Sequence, residues 1–436
     1  MNEITIGFLA ILLFFILLSL RMPIAIAMAL AGFLGFSVIV TPEAAFRVIA
    51  KDIYTTFSSY TLSVIPMFTF MGFIAFYSGI GAQLFNFAYK LIGHLPGGLA
   101  IAAQVTCALF GAVCGSNTAT AATIGAIAMP EMKKYHYDDS LSTASIAAGG
   151  ALGVLIPPSV IFIVYGISTE QSVGKLFIAG IIPGLLLTCL YMLTVYILAR
   201  RNPALAPAGP KFSWKERLTT LQGGIWEVFI IFALALGGLF LGWFTSTESG
   251  AVGACGLLLL SAVEKKLTLQ GLKKALMDST RTTAMIMLLV AGAVIFGRLM
   301  AVSRLPFQLA SWAGSLALPP VAVMAIILVI YLILGFFIDA LALVLLTIPI
   351  FYPVAVNILG YDPVWFGVII VLVVAMGVIT PPVGMNVYII KGVVPDVPLE
   401  TIFKGIWPFL GALIVCIAII IAFPAIATFL PGFLSN

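Results

Sequence analysis

The sequence predicts an all-α polytopic membrane protein built from two inverted-topology repeats, and three observations predict it. Of 436 residues, 62% are hydrophobic and only 8% are charged, against about 25% charged in ordinary soluble domains. Apolar runs long enough to cross a bilayer follow one another from end to end. Finally, one plan of interruptions recurs at a constant offset of 224 residues: Gly111 with Gly335, Gly115 with Asp339, Gly153 with Gly377, Pro157 with Pro381 and Pro158 with Pro382. Farther on, Gly180-Ile-Ile-Pro183 reads against Gly405-Ile-Trp-Pro408. Such a set is an internal-repeat signal. Paired hydrophobic segments broken by glycine and proline point to the binding site of a secondary transporter.

The first repeat covers residues 1–198. Residues 4–20 form a first span, which Arg21-Met-Pro23 ends, and residues 24–40 cross back. The opening run lacks a basic start and is too long for the core of a signal peptide, so it reads as a retained helix. Residues 42–58 carry Glu43, Arg47, Lys51 and Asp52 among apolar residues, the pattern of a helix lying in the membrane interface. Residues 61–79 cross again, and residues 81–93 form another amphipathic piece. Residues 99–130 are too long for a single tilted crossing and have a small, polar middle at Gly115-Ser-Asn-Thr118. They read as a re-entrant helical hairpin. Residues 141–169 form a span broken at Pro157-Pro158, and residues 176–198 complete the half.

Residues 199–224 resemble a linker, with Arg200, Arg201, three prolines, Lys211, Lys215 and Arg217. The second repeat, residues 225–436, follows the same plan. Its spans are 225–244, 250–263 and 282–301, followed by a hairpin at 318–353, a broken helix at 364–390 and a last span at 406–430. Five crossings and one re-entrant hairpin per half give the repeats opposite orientations. With both termini outside, the inner side receives Arg21, Lys90, Lys133, Lys134, the linker cluster and the basic residues from Lys265 to Arg281. That placement obeys the positive-inside rule.

The chemistry is equally bounded. No G-x-x-x-x-G-K-[ST] motif supports ATP hydrolysis by a P-loop, and with only His94 and His136 there is no H-E-x-x-H zinc site. The five cysteines show no metal-like spacing. Asp339 stands alone in an apolar run, and a carboxylate at membrane depth is a functional candidate by default. Ser116, Asn117, Thr118 and Thr120 form the polar tip of the first hairpin, and Ser159 follows the first double proline. Prolines leave helix carbonyls without donors, which bulk lipid cannot satisfy but a cation can. The two breaks therefore offer carbonyls near 153–157 and 377–381, with the Thr380 hydroxyl, to a hard cation such as Na⁺. The hairpin tips add carbonyls at 111–115 and near Gly335.

Phe110-Gly-x-x-x-Gly-Ser, the paired Gly-x-x-x-Pro-Pro breaks, Thr247-Glu248-Ser-Gly-Ala and Ile402-Phe-Lys-Gly-Ile-Trp-Pro-Phe-Leu resemble the large membrane subunit of tripartite ATP-independent periplasmic (TRAP) transporters. The resemblance spans essentially the whole chain. It implies an elevator-type carrier for Na⁺-coupled uptake of an organic acid anion delivered by a periplasmic substrate-binding protein. It also implies a small four-helix membrane subunit, expected here as a separate chain, in the bacterial inner membrane. Carried over by motif, one Na⁺ site falls at Gly111, Cys114, Gly153, Ile156 and Pro157, and a second at Gly335, Gly377, Thr380 and Val383. Substrate contacts fall at Ser116, Thr118, Ser159 and Asp339, with Asn117 beside them. The family commonly has a small or hydroxyl residue where Cys114 stands, a change that a carbonyl ligand tolerates. Two other readings stay open: a self-sufficient Na⁺/dicarboxylate carrier needing no binding protein, and an intramembrane enzyme using Asp339.

Overall fold

The computed structural model describes residues 2–221, 225–315 and 318–433, so the last three residues of the linker and both chain ends lie outside the described residues. Among those described, regular structure is helical throughout, with no strand. Ten helices come first: α1 (Glu3–Ser19), α2 (Ile24–Ile39), α3 (Pro42–Phe57), α4 (Val64–Tyr77), α5 (Ile80–Ile92), α6 (Gly98–Cys114), α7 (Asn117–Lys134), α8 (Asp139–Gly150), α9 (Val160–Ser168) and α10 (Val173–Arg201). Then come α11 (Trp214–Leu221), α12 (Ile225–Phe240), α13 (Ser246–Val263), α14 (Leu269–Ser303), α15 (Leu305–Ser315), α16 (Pro320–Gly335), α17 (Ala340–Tyr352), α18 (Pro363–Gly377), α19 (Met385–Val393) and α20 (Leu399–Ala422).

Among the described residues, five helices are long and apolar enough to cross a membrane: α10, α13, α14, the α17 segment extended to Ile358, and α20. The pair α3 and α4 counts as a sixth if joined across its 52° bend. The interruptions account for several of the shorter helices. α6 stops at Cys114 because Gly115 turns left-handed (φ +62°) and Ser116 caps the following helix. α8 tightens into a 3₁₀ turn over Ala151–Val154 and ends before Pro157-Pro158. α18 ends at Gly377, just before Pro381-Pro382. Each double proline contains a cis peptide bond.

Several segments differ in extent from the sequence reading, α20 (Leu399–Ala422) against an expected span at 406–430 among them, and two differences carry a physical reason. α14 begins at Leu269, thirteen residues before the apolar span expected at 282–301. Thr268 caps it, and no proline intervenes, so the helix continues through charged turns that a hydropathy criterion rejects. The linker is not loose. Its backbone is strapped over two corners of the first half: Gly97 N–H donates to Ala206 O, Gly209 N–H to Gly93 O, and Asp138 N–H to Leu205 O at 2.9–3.1 Å. The Tyr137 hydroxyl also donates to Pro207 O at 2.9 Å.

Arg298 is held by a buried carboxylate. Its Nε and Nη2 donate to the Asp52 carboxylate at 3.0 and 3.1 Å, pinning α3 against α14. Asp52 is buried while the arginine remains half exposed. A charge-assisted fork of this kind stabilises more than a surface pair. Arg298→Ala is expected to destabilise the purified protein by about 1–2 kcal/mol, seen as a lower melting temperature in detergent, because it strands a buried carboxylate. An unchanged melting temperature would show that Asp52 finds water or another partner.

Candidate functional site

The interruptions converge. A cavity of about 540 Å³ lies between α4 and α14 on one side and the broken elements on the other. The broken side contributes Cys114 to Ala119 and Ala122 of the first hairpin, Val154, Val160 and Ile161 around the first double proline, and Asp339, Ala340 and Leu341 of the second hairpin. The unbroken side contributes Thr69, Gly72, Phe73, Phe76 and Tyr77 from α4, and Asp278, Thr282, Met285 and Ile286 from α14.

Three of the sequence-predicted residues are helix N-caps at this junction. Ser116 Oγ accepts the Ala119 N–H at 3.3 Å and opens α7. Ser159 Oγ donates to Val154 O, accepts the Phe162 N–H and opens α9. Asp339 Oδ1 accepts the Leu341 N–H at 3.0 Å and opens α17. Capping satisfies only part of each helix start, and the remaining N–H groups carry partial positive charge. Residues from the first turns of α7, α9 and α17 all line the cavity. The starts of α7 and α9 favour an anion without any cationic side chain, whereas the start of α17 is already met by the Asp339 carboxylate. Among the described lining residues there is no lysine, arginine or histidine.

The predicted residues do not all face the cavity. Ser116, Asn117, Thr118 and Asp339 line it, with Ser116 Oγ and Thr118 Oγ1 3.1 Å apart. The Asn117 amide nitrogen is buried and unpartnered, a spare donor at the wall. Ser159 is fully buried behind the surface, and its hydroxyl is spent on the α9 cap and the break.

Four of the cation-site residues meet in two glycine contacts. A methyl built on Gly111 would lie 2.7 Å from Gly153 Cα, and one on Gly377 would lie 3.0 Å from Gly335 Cα. Each hairpin thus touches one broken helix backbone to backbone. No backbone hydrogen bond reaches the carbonyls of Cys114, Ile156 and Pro157, or those of Gly335, Thr380 and Val383, among the described residues. Thr380 Oγ1 donates to Met376 O at 2.6 Å, which leaves its lone pairs available. In hydrocarbon, a carbonyl without a partner costs several kcal/mol. Unbonded carbonyl and hydroxyl oxygens of this kind suit a hard cation, and the residues present fit Na⁺. Cys114 fits through its carbonyl, because its thiol is engaged with Thr120 Oγ1 at 3.1 Å.

Sequence reasoning missed the α4–α14 wall. Tyr77 O–H donates to Asp278 Oδ2 across 201 residues of sequence, and both line the cavity. Asp278 sits just outside the apolar span that hydropathy marks, and Tyr77 closes another. Neither position is distinctive alone.

Comparison with known proteins places this arrangement in a lineage. Residues 11–426 match the family described as tripartite ATP-independent periplasmic transporter, DctM component. The chain belongs to that family. This DctM component is 37% identical over 389 residues to the C4-dicarboxylate TRAP transporter large permease protein of Pseudomonas aeruginosa, covering 89% of this chain and 90% of that one. It is 34% identical over 419 residues to the sialic acid TRAP transporter large permease protein of Vibrio cholerae, covering 95% and 96%. The Alcanivorax borkumensis YdaH transporter shares the fold, with a TM-score of 0.64 at 16% identity over 90% of each chain. The DctM component is therefore a large TRAP permease subunit, a multi-pass inner-membrane transporter protein and not an enzyme.

Proposed function

We propose that this subunit imports an organic acid anion in symport with Na⁺, receiving it from a periplasmic substrate-binding protein and working beside a separate small membrane subunit. The observation that carries the reading is the convergence of two helix N-termini with uncharged caps, α7 and α9, and the spare Asn117 amide donor on one cavity whose described lining has no cationic side chain. The substrate carboxylate binds against the start of α7, where the Asn117 amide, the Ser116 and Thr118 hydroxyls and free N–H groups are concentrated. Relatives named for C4-dicarboxylate and sialic acid transport support an acid as the substrate class.

Two Na⁺ ions occupy the paired contacts. One sits where the first hairpin meets the first break, at Gly111, Cys114, Gly153, Ile156 and Pro157. The other sits at the second such junction, at Gly335, Gly377, Thr380 and Val383. Each ion joins a hairpin to a broken helix, so binding fixes the relative position of the two tips that line the cavity. That is a coupling free energy between ion and substrate sites. The hairpins and broken helices of the two inverted repeats then move as one elevator against a scaffold of the remaining helices, α4 and α14 among them. Both termini are periplasmic, as the basic-residue placement favours.

The decisive experiment is uptake into proteoliposomes holding this chain and its small subunit, supplied with a binding protein loaded with labelled acid. Uptake is expected only with both an inward Na⁺ gradient and the binding protein. Uptake with Na⁺ but no binding protein would replace this reading with a self-sufficient carrier. Uptake indifferent to Na⁺ would remove the coupling.

A further inference from the structure

The cavity's two walls are chemically unlike. The hairpin wall ends in helix starts and spare donors. The opposite wall presents the Tyr77–Asp278 pair, joining α4 to α14. Asp278 is only half-buried and makes no ion pair among the described residues. The Tyr77 hydroxyl occupies Oδ2 and orients the carboxylate, and no hydrogen bond reaches Oδ1 among the described residues. With Asp339, the cavity carries two carboxylates and no cationic side chain among its described lining.

A ligand that is anionic at both ends fits this arrangement poorly. Its first carboxylate is welcome at the start of α7, but its second meets Asp278 as a like charge in a partly desolvated space, which is repulsive. A ligand whose far end offers O–H or N⁺–H donors meets an oriented acceptor instead, and a donor to a carboxylate makes a strong, charge-assisted hydrogen bond. A volume of about 540 Å³ lies within the range of small-molecule sites and admits a molecule with two distinct ends.

We propose that Tyr77 and Asp278 are specificity-determining residues of this transporter, selecting acids that carry hydroxyl or ammonium donors away from their carboxylate over acids that carry a second carboxylate there. The inference rests on the proposed import of an organic acid and narrows its substrate class. Tyr77 acts by holding Asp278 in place, and Asp278 accepts the donor.

The test reads binding to the detergent-purified complex of this chain with its small subunit, so that the binding protein's own selectivity does not intervene. Three probes are titrated in Na⁺: succinate, with carboxylates at both ends; gluconate, with hydroxyls; and 4-aminobutyrate, with an ammonium. Gluconate or 4-aminobutyrate is expected to bind at least about tenfold more tightly than succinate, the worth of one hydrogen bond to a charged group. Which of the two binds tells hydroxyl from ammonium recognition. Asp278→Asn and Tyr77→Phe are each expected to narrow that ratio several-fold. Tyr77→Phe removes a single oxygen, so it carries the test if Asp278→Asn fails to fold. Preference for succinate, or a ratio unchanged in the variants that fold, overturns the role of the pair and leaves Na⁺-coupled acid import standing. Failure of all three acids to bind in a Na⁺-dependent way overturns the import reading and this inference with it.

Discussion

Asp339→Ala is expected to abolish Na⁺-driven uptake while the protein still inserts and folds. Two roles meet at this carboxylate. One is structural: Oδ1 caps α17 through the Leu341 N–H, and losing a cap costs about 1 kcal/mol. That is a small loss against the packing of a helix whose residues Ala340 to Ile348 are all buried. The other role is at the cavity, where Asp339 is the second hairpin's polar contribution beside Ala340 and Leu341. Its partner position in the first hairpin is Gly115, which has no side chain, so no carboxylate stands at the equivalent point of the opposite tip. Asp339→Asn separates the two roles, since asparagine also caps helices well. Uptake normalised to inserted protein, with a melting curve for each variant, decides. Wild-type uptake by an inserted Asp339→Ala protein would remove the residue from the site. Recovery in Asp339→Asn would show that an acceptor suffices and the charge does not matter.

The features legible in the sequence were the ones that interrupt a pattern. Gly115, Pro157-Pro158 and Pro381-Pro382 break apolar runs, and breaks in hydrocarbon have few physical excuses. The capping residues Ser116, Ser159 and Asp339 were visible because polar atoms beside those breaks stand out. That same signal cannot say which way a cap faces. Ser116 and Asp339 line the cavity, whereas Ser159 is wholly consumed by its own helix and the break. The unbroken wall was silent because Tyr77 and Asp278 disturb no periodicity and meet only through tertiary packing. The same holds for Asn386, whose amide nitrogen donates to Ala147 O of α8 at 3.0 Å across 239 residues. It holds also for Gln104, which donates to Ser145 O on the same helix at 2.6 Å. These two buried amides brace the helix that leads into the first break, and no local sequence rule picks them out. The length of α14 was hidden for the converse reason: charge ends a hydropathy window without ending a helix.

The two glycine junctions are related by sequence offset but not equally tight, and this asymmetry makes the sharpest prediction about ion binding. A methyl on Gly153 would meet Ser116 O and Thr120 Oγ1 at 2.7 Å each. Neither can retreat freely, because Ser116 O already accepts the Thr120 N–H at 3.1 Å and the Thr120 hydroxyl at 2.7 Å. The cost of overpacking, about 1–3 kcal/mol, therefore falls on the Ser116 carbonyl and the Thr120 hydroxyl beside the first junction. At the second junction a methyl on Gly377, the counterpart of Gly153, would approach Gly335 Cα and O to 3.0 Å, and one on Gly335 would meet Gly377 Cα and Leu343 Cδ2 at 3.4 Å, an ordinary contact. Gly153→Ala is accordingly expected to raise the Na⁺ concentration for half-maximal uptake by about ten- to a hundredfold, or to abolish uptake outright. Gly335→Ala should stay within about threefold of wild type, a shift of under 1 kcal/mol. Measuring uptake against Na⁺ concentration in both variants separates the two junctions. Equal losses would mean that both glycines are needed for backbone freedom rather than for close approach. A wild-type Na⁺ response in Gly153→Ala would show that the first junction does not hold the ion, since Gly153 itself and the hairpin backbone against it would have had to shift to admit the methyl.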